Sequence, residues 1–413
     1  MRIFKKYISY RFHTASRSAC SMLAGIGFIG LALTGCEREP LLYLHEGGSE
    51  NTMDLPKIDL ELKVLWDYEF KYDVVYDWEA EWKYGWDEED NKLFGEIGYT
   101  EPSAYEIRRY YTQHVQYGPH EAPYKNHIQS NRLTASYDFG FWDILAWNDI
   151  QTADGIQSVR IDESSTYDYV TAETGQTMFP SKYNAPHYNN SFYQPEELFA
   201  GYEKGIEINK NLDGFVFDEE RNCWVRKLEM LFQPVNYIYL TQIILHNNRQ
   251  NTRIVTSIDG SGNLSGMARS VNLNTGITGA DAITVNYNMR MKLDQEMKDG
   301  EKVDIIGGKV LTFGMPKLNP SRLDSHSYME SLAKVRDADL NNRHYLDVKM
   351  QFYNGKDSTL VFDVTDQVRR LYKGGVITID VDMTKVPVPV RPGGSGFDAV
   401  VKDFEEKQWE FDM

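Results

Sequence analysis

The chain has 413 residues, with 61 acidic and 44 basic side chains and a formal net charge of −17. Nucleic acid and anionic lipid headgroups are poor partners for so acidic a protein, because like charges repel. The length is sufficient for two domains, so we expect a protein with a sizeable hydrophobic core.

The N-terminus is typical of a bacterial export signal. The segment Met1–Arg17 contains five basic residues and no acidic one, and the apolar stretch after it is shorter than a membrane-spanning helix. This stretch ends in Leu33-Thr34-Gly35-Cys36, which resembles the lipobox of bacterial lipoproteins. The resemblance implies that residues 1–35 are removed and that acyl chains on Cys36 anchor the protein to a membrane. The alternative is an ordinary secretory signal with a chance cysteine.

The cysteines and the residues after Cys36 indicate where the protein is displayed. Cys20 lies in the signal and Cys36 would be acylated, which leaves Cys223 without a disulfide partner. An exported chain of this kind depends on its core for stability. Glu37 and Glu39 follow the lipobox cysteine, and acidic residues there resemble a surface-export signal in lipoproteins of the Bacteroidales. We therefore expect a lipid-anchored protein on the outer face of the outer membrane.

A long alternating segment follows residues 36–56, which are predicted to be a flexible, acylated tether. From Ile58 to Trp86 apolar and mostly aromatic residues take every second position, and most of the residues between them are charged. This period of two predicts β-strand. Because strands typically have about 5–6 residues, we expect at least one break. Gly85 is the clearest break, and Asp77–Trp82 is compatible with a helical turn.

The aromatic face of this segment has two interpretations, a buried wall or a platform for flat ligands such as sugars. We predict that the row up to Trp78 is core, because each aromatic side chain buries about 150–250 Å². Trp82, Tyr84 and Trp86 lie beside the predicted break and are predicted to form an exposed contact patch for a ligand or partner.

Further β-strands are predicted along most of the chain, with one helix at Val364–Lys373. The predicted strand-like runs are Tyr105–Tyr111, Arg132–Trp147, Trp224–Leu245, Arg253–Ile258, Leu264–Leu273, Ala282–Met291, Lys302–Phe313, His344–Tyr353, Ser358–Val364 and Val376–Val381. Three glycine-containing sites are predicted as irregularities: a hairpin turn at Asp259–Asn263, a bulge or tight turn at Gly307-Gly308, and a hairpin at Asn354-Gly355. The polar stretch Asp162–Glu197 is typical of a functional loop or of disorder.

Short strands, frequent turns and a scarcity of amphipathic helix predict an all-β fold. We expect two tandem Greek-key β-sandwich domains, with residues 57–226 in the first and residues 227–384 in the second. Residues 385–413 are predicted to be a proline- and glycine-rich spacer and an acidic, aromatic tail. Trp409 in this tail is a candidate partner contact. The tail either docks on its own domain or adds a strand to a partner's sheet.

The motifs that carry chemistry are incomplete. Asp259–Ser270 begins like a calcium loop, but Leu264 and Ser270 occupy the positions that need glycine and a carboxylate. The sequence contains no HExxH pair, no GxSxG elbow and no phosphate loop. Cys223 lies among strand residues, where a buried, unreactive thiol is expected. We therefore predict no enzyme, no catalytic residue, no metal site and no cofactor.

Several stretches resemble the fimbrillin-associated lipoproteins of the Bacteroidales, and a related uncharacterised domain family of such lipoproteins. The stretches that carry the resemblance are Val74–Trp82, Tyr137–Asp149, Tyr237–Asn248 and Asp259–Gly276, together with the lipobox. The resemblance implies two transthyretin-like β-sandwiches and a role in anchoring or capping fimbriae at the outer membrane. The sequence has no convincing arginine cleavage site after a first strand, so an anchor or accessory subunit fits better than a shaft subunit.

The sequence therefore predicts a surface lipoprotein with a fimbria-related anchoring, accessory or adhesive role. Its partners would be the membrane, through the acyl chains on Cys36, and fimbrial subunits or other surface proteins. The alternative is a glycan-binding accessory lipoprotein of a polysaccharide-uptake system, with Trp82, Trp86 and Trp142 as stacking platforms.

Overall fold

The structure, a computed structural model, describes residues 56–66, 77–112, 123–150, 157–164, 169–177, 191–249, 251–318 and 343–390. These residues are mostly β-strand, which confirms the predicted all-β fold. Cys36, the tether, the predicted strand residues 67–76 and the tail with Trp409 lie outside the described residues.

The described residues form twenty strands and three short helices. In the first half the strands are β1 (Ile58–Trp66), β2 (Tyr105–Thr112), β3 (Tyr124–Ile128), β4 (Arg132–Ser136), β5 (Gly140–Asn148), β6 (Val159–Asp162), β7 (Thr171–Thr174), β8 (Ser191–Tyr193), β9 (Phe199–Ile208), β10 (Val216–Asp218) and β11 (Cys223–Pro234). In the second half they are β12 (Tyr237–His246), β13 (Val255–Ala268), β14 (Ser270–Asn272), β15 (Ala282–Asn288), β16 (Arg290–Glu296), β17 (Lys302–Thr312), β18 (Tyr345–Phe352), β19 (Asp357–Asp363) and β20 (Gly375–Asp382). The helices are α1 (Trp78–Glu81), α2 (Glu88–Phe94) and α3 (Thr365–Arg370).

The largest sheet belongs to the first half and has the order β3-β2-β5-β9-β11-β1-β4, with β10 paired to β11. The alternation predicted from the sequence is observed in β1, where Ile58, Leu60, Leu62 and Val64 are buried in the first core. The charged residues between them lie on the opposite face because successive side chains of a strand point to opposite sides.

The second half contains two sheets that enclose its core. One has the order β16-β17-β12-β20 and the other has the order β19-β18-β13-β15-β8. Alternate residues of the central strands meet between the sheets, for example Ile243 and Val310 from one and Leu264 and Val348 from the other. This two-layer arrangement buries one apolar face of each sheet.

The two halves share apolar packing. Ile238, Leu240, Leu311 and Val376 come from the four-stranded sheet but belong to the core of the first half. A small sheet, β14-β7-β6, also takes strands from both halves. The junction predicted between residues 226 and 227 falls inside β11. The division into 57–226 and 227–384 therefore stays a prediction, and the described residues belong to one compact unit.

The predicted glycine turns had mixed outcomes. The hairpin at Asn354-Gly355 is confirmed between β18 and β19, where Gly355 has a φ of 73°. The turn predicted at Asp259–Asn263 is wrong, because β13 runs through it with an irregularity in its pairing. Gly262 lies there because a Cβ would meet Sδ of Met289. The bulge or tight turn predicted at Gly307-Gly308 is also wrong, because β17 is continuous there.

Candidate functional site

Residues 77–98, which we call the strap, cross the outward face of the four-stranded sheet. The centre of the strap is Tyr84, which packs in a small apolar cluster with Ile244 and Ile305. Gly307 provides the space for its ring, since a Cβ there would lie 2.4 Å from Cδ2 of Tyr84. The α1 turn agrees with the helical turn that the sequence allowed at Asp77–Trp82.

Two buried polar side chains bind the backbone of the strap. The Gln242 Oε1 accepts hydrogen bonds from the backbone N–H of Lys83 (2.8 Å) and of Tyr84 (3.1 Å), and its Nε2 donates to the carbonyl of Glu81 (2.6 Å). At the other end, the Lys309 ammonium donates to the carbonyls of Glu96 (2.6 Å) and Gly98 (3.0 Å). Burial lowers the pKa of Lys309 below its ordinary value. The strap therefore adds hydrogen bonds to two buried groups that also contact residues outside it, Gln242 with Thr378 (2.8 Å) and Lys309 with Glu197 (3.3 Å).

An ion-pair network fixes the second helix of the strap. Asp90 is fully buried and accepts hydrogen bonds or ion pairs from Arg290 (2.9 Å), Lys292 (2.7 Å) and the Tyr84 hydroxyl (2.9 Å). Asp87 caps α2 and also pairs with Arg290 (2.8 Å). Burial and the adjacent Asp90 raise the pKa of Tyr84, so its phenol stays protonated and donates. A buried carboxylate with several cationic partners is costly to disrupt.

The strap changes the status of the predicted contact patch. Tyr84 is only 1% exposed, so its ring is not available to a surface ligand, and this part of the prediction is corrected. Trp82 and Trp86 are half-buried, with ring centroids 6.3 Å apart and planes at 48°. Such tilted rings pack against each other rather than forming a flat platform.

Trp142 is not a stacking platform either. Its side chain is 1% exposed and its Nε1 donates to the Asp138 carbonyl at 3.0 Å. The ring packs edge-on against Tyr137, with centroids 4.7 Å apart, and lies 4.8 Å from the ring of Tyr111. Trp142 is therefore not available for stacking against a glycan, contrary to the glycan-binding alternative.

The junction between the tether and the fold is the second notable feature. β1 begins at Ile58, directly after the predicted tether, and it is an interior strand. It is parallel to β11 over nine residue pairs and antiparallel to β4 over five. Arg221 adds an ion pair to Glu61 at 2.6 Å. In the described ranges, no helix is long and apolar enough to cross a membrane.

The environment of Cys223, next to this junction, agrees with the predicted buried thiol. Cys223 starts β11 and is fully buried beside Asp59, with Sγ 3.5 Å from the carboxylate. Burial raises the pKa of the thiol, which lowers the population of the reactive thiolate.

A groove of about 490 Å³ lies where β7, β9 and β14 meet. Its walls include Tyr169, Tyr202, Lys204, Asn274 and Thr275. The Tyr169 side chain is 64% exposed. Hydroxyl, amide and aromatic groups in one concave surface suit a polar ligand with some apolar faces, such as a sugar. Tyr169 was not singled out from the sequence, but it lies in the polar stretch Asp162–Glu197, which is predicted to be a functional loop or disordered.

No protein-family model matches the chain, and no curated protein matches its sequence. Solved structures with a detectable likeness include a candidate adhesin from Bacteroides ovatus, with 13% identity, a TM-score of 0.44 and coverage of 84% of this chain and 99% of that chain. Others are the fimbrial anchor protein Mfa2 from Porphyromonas gingivalis (10% identity, TM-score 0.39, coverage 78% and 90%) and candidate polysaccharide-binding proteins from Bacteroides thetaiotaomicron (8%, 0.35, 79% and 92%). At these scores the likeness carries no conclusion about family or function.

Proposed function

We propose that the chain is a lipid-anchored, non-catalytic protein of the outer-membrane surface with a fimbria-related anchoring, accessory or adhesive role. The observation that carries this proposal is the position of β1. The strand that follows the predicted tether is held on both sides, by β11 and by β4. Acyl chains on Cys36 would hold the tether at the membrane, so a load on the protein would enter the fold through β1.

The direction of that load favours an anchoring role. The hydrogen bonds of β1 run across the strand, perpendicular to it toward antiparallel β4 and slanted toward parallel β11, so tension along β1 strains the bonds to both neighbours together. An edge hairpin pulled from its open end would lose its bonds one pair at a time. The alternating buried residues of β1, such as Leu60 and Leu62, add apolar packing to the same strand.

The lipid anchor can be tested with Cys36→Ala. Without the thiol no acyl chain is attached, so we expect the protein to move from the detergent-rich to the aqueous phase on detergent phase separation. Cys223→Ala is the matched control, because it removes a buried cysteine and leaves the lipobox intact. Retention of the Cys36→Ala protein in the detergent phase or in the membrane pellet would contradict the anchor.

The partner can be tested by crosslinking the tagged protein on intact cells and identifying captured proteins by mass spectrometry. An anchoring role predicts capture of β-rich fimbrial subunits, and loss of surface filaments or of adhesion when the gene is deleted. Capture of an outer-membrane transporter together with glycan-binding proteins would count against it.

A second candidate function is glycan binding, and the groove at β7, β9 and β14 favours it. We expect polysaccharide to retard the protein in native gels, and Tyr169→Ala to abolish the retardation by removing an exposed aromatic wall. Tyr353→Ala is the matched control, because Tyr353 is also exposed (54%) but does not line the groove. Equal retardation of both variants would show that the polysaccharide binds outside this groove.

A further inference from the structure

We propose that Glu106, His127 and Asp149 form a binding site for a divalent transition-metal ion such as Zn²⁺. One ligand atom from each side chain, a carboxylate oxygen or an imidazole nitrogen, lies within 4.8 Å of the other two. The three residues are far apart in the sequence and carry no recognisable metal motif. Their convergence is a product of the sheet.

Strand register explains the convergence. Glu106 on β2 lies directly opposite His127 on β3, and it lies opposite Trp147 on β5. Asp149 is two residues beyond Trp147, and its backbone N–H donates to the carbonyl of Ala104 at 2.8 Å. Because side chains two apart on a strand share a face, all three ligands lie on one face of the β3-β2-β5 ladder. Backbone hydrogen bonds therefore hold the three Cα atoms in place.

A second layer of contacts orients Glu106. Its Oε1 lies 2.8 Å from Nδ1 of His127, and its Oε2 accepts a hydrogen bond from Arg108 at 2.8 Å. Arg108 is itself fixed by two hydrogen bonds to Glu163, at 2.8 and 3.0 Å, and by the Trp147 ring 4.6 Å away. Burial alone would raise the pKa of Glu163, but hydrogen bonds from Arg108 and Lys125 outweigh it and lower that pKa.

Those contacts also settle the charge balance. The cation of Arg108 is shared between Glu163 and Glu106, each at 2.8 Å, so it offsets only part of the negative charge that Glu106 and Asp149 would present to an ion. Outer partners of this kind orient metal ligands and contribute to affinity.

The ligand set selects the class of ion. Two carboxylates and one imidazole suit Zn²⁺ and its neighbours, whereas Ca²⁺ and Mg²⁺ prefer oxygen ligands alone. Ligands at about 2.0–2.2 Å from one Zn²⁺ lie roughly 3.4 Å apart. The ligand atoms here lie within 4.8 Å of one another, so the widest pair must close by up to about 1.4 Å. His127 is exposed and the two acids are half-buried, so their side chains have room for this movement. Three protein ligands leave a coordination position for water.

A second histidine with two acidic neighbours, His246, can be compared with the proposed site at His127. This histidine also contacts two carboxylates, Glu301 through Nδ1 (3.0 Å) and Asp380 through Nε2 (2.9 Å). The two acids approach opposite nitrogens of the ring, so they cannot share one ion with it. His246 therefore serves as a control for non-specific binding by a half-buried histidine with acidic neighbours.

The test is a titration of the full-length chain, purified in detergent without a histidine tag and stripped of metal by a chelator. Calorimetry with Zn²⁺ should show one site, and Co²⁺ should give visible absorption bands of a low-coordinate complex. His127→Gln and Asp149→Asn should each weaken Zn²⁺ binding by more than about 100-fold, beyond the loss typical of second-layer changes. His246→Gln should bind as the wild type does.

Two results would overturn the proposal. One is a wild-type chain that binds no Zn²⁺, and the other is His127→Gln binding with unchanged affinity. The melting temperature of each variant without metal checks that it is folded. Because His127 is exposed, its substitution should leave this temperature unchanged, and a selective loss of the Zn²⁺-induced rise would identify the site.

Discussion

At the scale of single residues, Asp347 on β18 is a buried carboxylate with incomplete hydrogen bonding. Its side chain is buried, Oδ2 accepts a hydrogen bond from Asn263 at 2.8 Å, and Oδ1 accepts none from any described residue. Burial raises its pKa to about 7. Its charged form is therefore unfavourable in the folded protein, and folding and protonation are linked at this residue.

Asp347→Asn should remove a pH dependence of stability. In the unfolded chain an aspartate has a pKa of about 3.9, so between about pH 4 and pH 7 the folded state holds a proton that the unfolded state has lost. Stability from this group is therefore complete below pH 4, falls as pH rises to 7, and stays low above it. At about 1.4 kcal/mol per pKa unit, the loss is roughly 4 kcal/mol.

Urea denaturation of wild type and Asp347→Asn at pH 4, 5.5 and 8 measures this effect. The difference between the two proteins cancels the titration of all other groups, provided that both unfold in two states. We expect the variant to gain stability relative to wild type as pH rises. A difference that is constant over the series would show that Asp347 stays charged in the fold.

At the scale of elements, the sequence predicts the strands with regular alternation, but it does not predict the structural role of a glycine within a strand. The buried residues of β1 and the ends of β18 follow from periodicity, because one face of each strand must be apolar. Gly307 was expected to interrupt a strand, but its role is to admit Tyr84 from a segment more than two hundred positions earlier. Such a contact has no local signal in the sequence.

The same limit applies to candidate sites. Glu106, His127 and Asp149 meet through strand register, which sequence alone does not define across three strands. Trp82 and Tyr84 are neighbours of one alternating row, yet only Tyr84 is fully buried, because only Tyr84 faces the gap left by Gly307. The alternating sequence places both side chains on one face of the segment, but it does not indicate which residues cover that face.

Gly307→Ala should therefore displace the strap and destabilise the protein by about 1–3 kcal/mol, the usual cost of overpacking. The clash involves ring atoms of Tyr84, so in a Tyr84→Ala background the same substitution should cost almost nothing. Gly98→Ala, which adds a Cβ in the strap where no atom lies within 4 Å, is the matched control. A double-mutant cycle from urea denaturation gives the coupling, and additive costs would place Tyr84 away from Gly307.

At the scale of the whole molecule, the strap and the shared core join both halves into one mechanical body. The outward face of β12 and β17 is not solvent-exposed, because Leu240 and Leu311 complete the first core while Gln242 and Ile244 lie under the strap. Their inward neighbours, such as Ile243 and Val310, fill the second core. A load that enters at β1 is therefore resisted by both cores.

Residues 56–390 should consequently unfold in one cooperative transition, even though the sequence predicts two domains. Leu240→Ala opens a cavity in the first core and Ile243→Ala opens one in the second, and each should cost about 2–5 kcal/mol. Because β12 belongs to both cores, both substitutions should lower the same calorimetric transition of the full-length chain, with tyrosine and tryptophan fluorescence following the same curve. If the halves are independent, each substitution will instead lower only one of two resolved transitions, and the other will keep its wild-type midpoint.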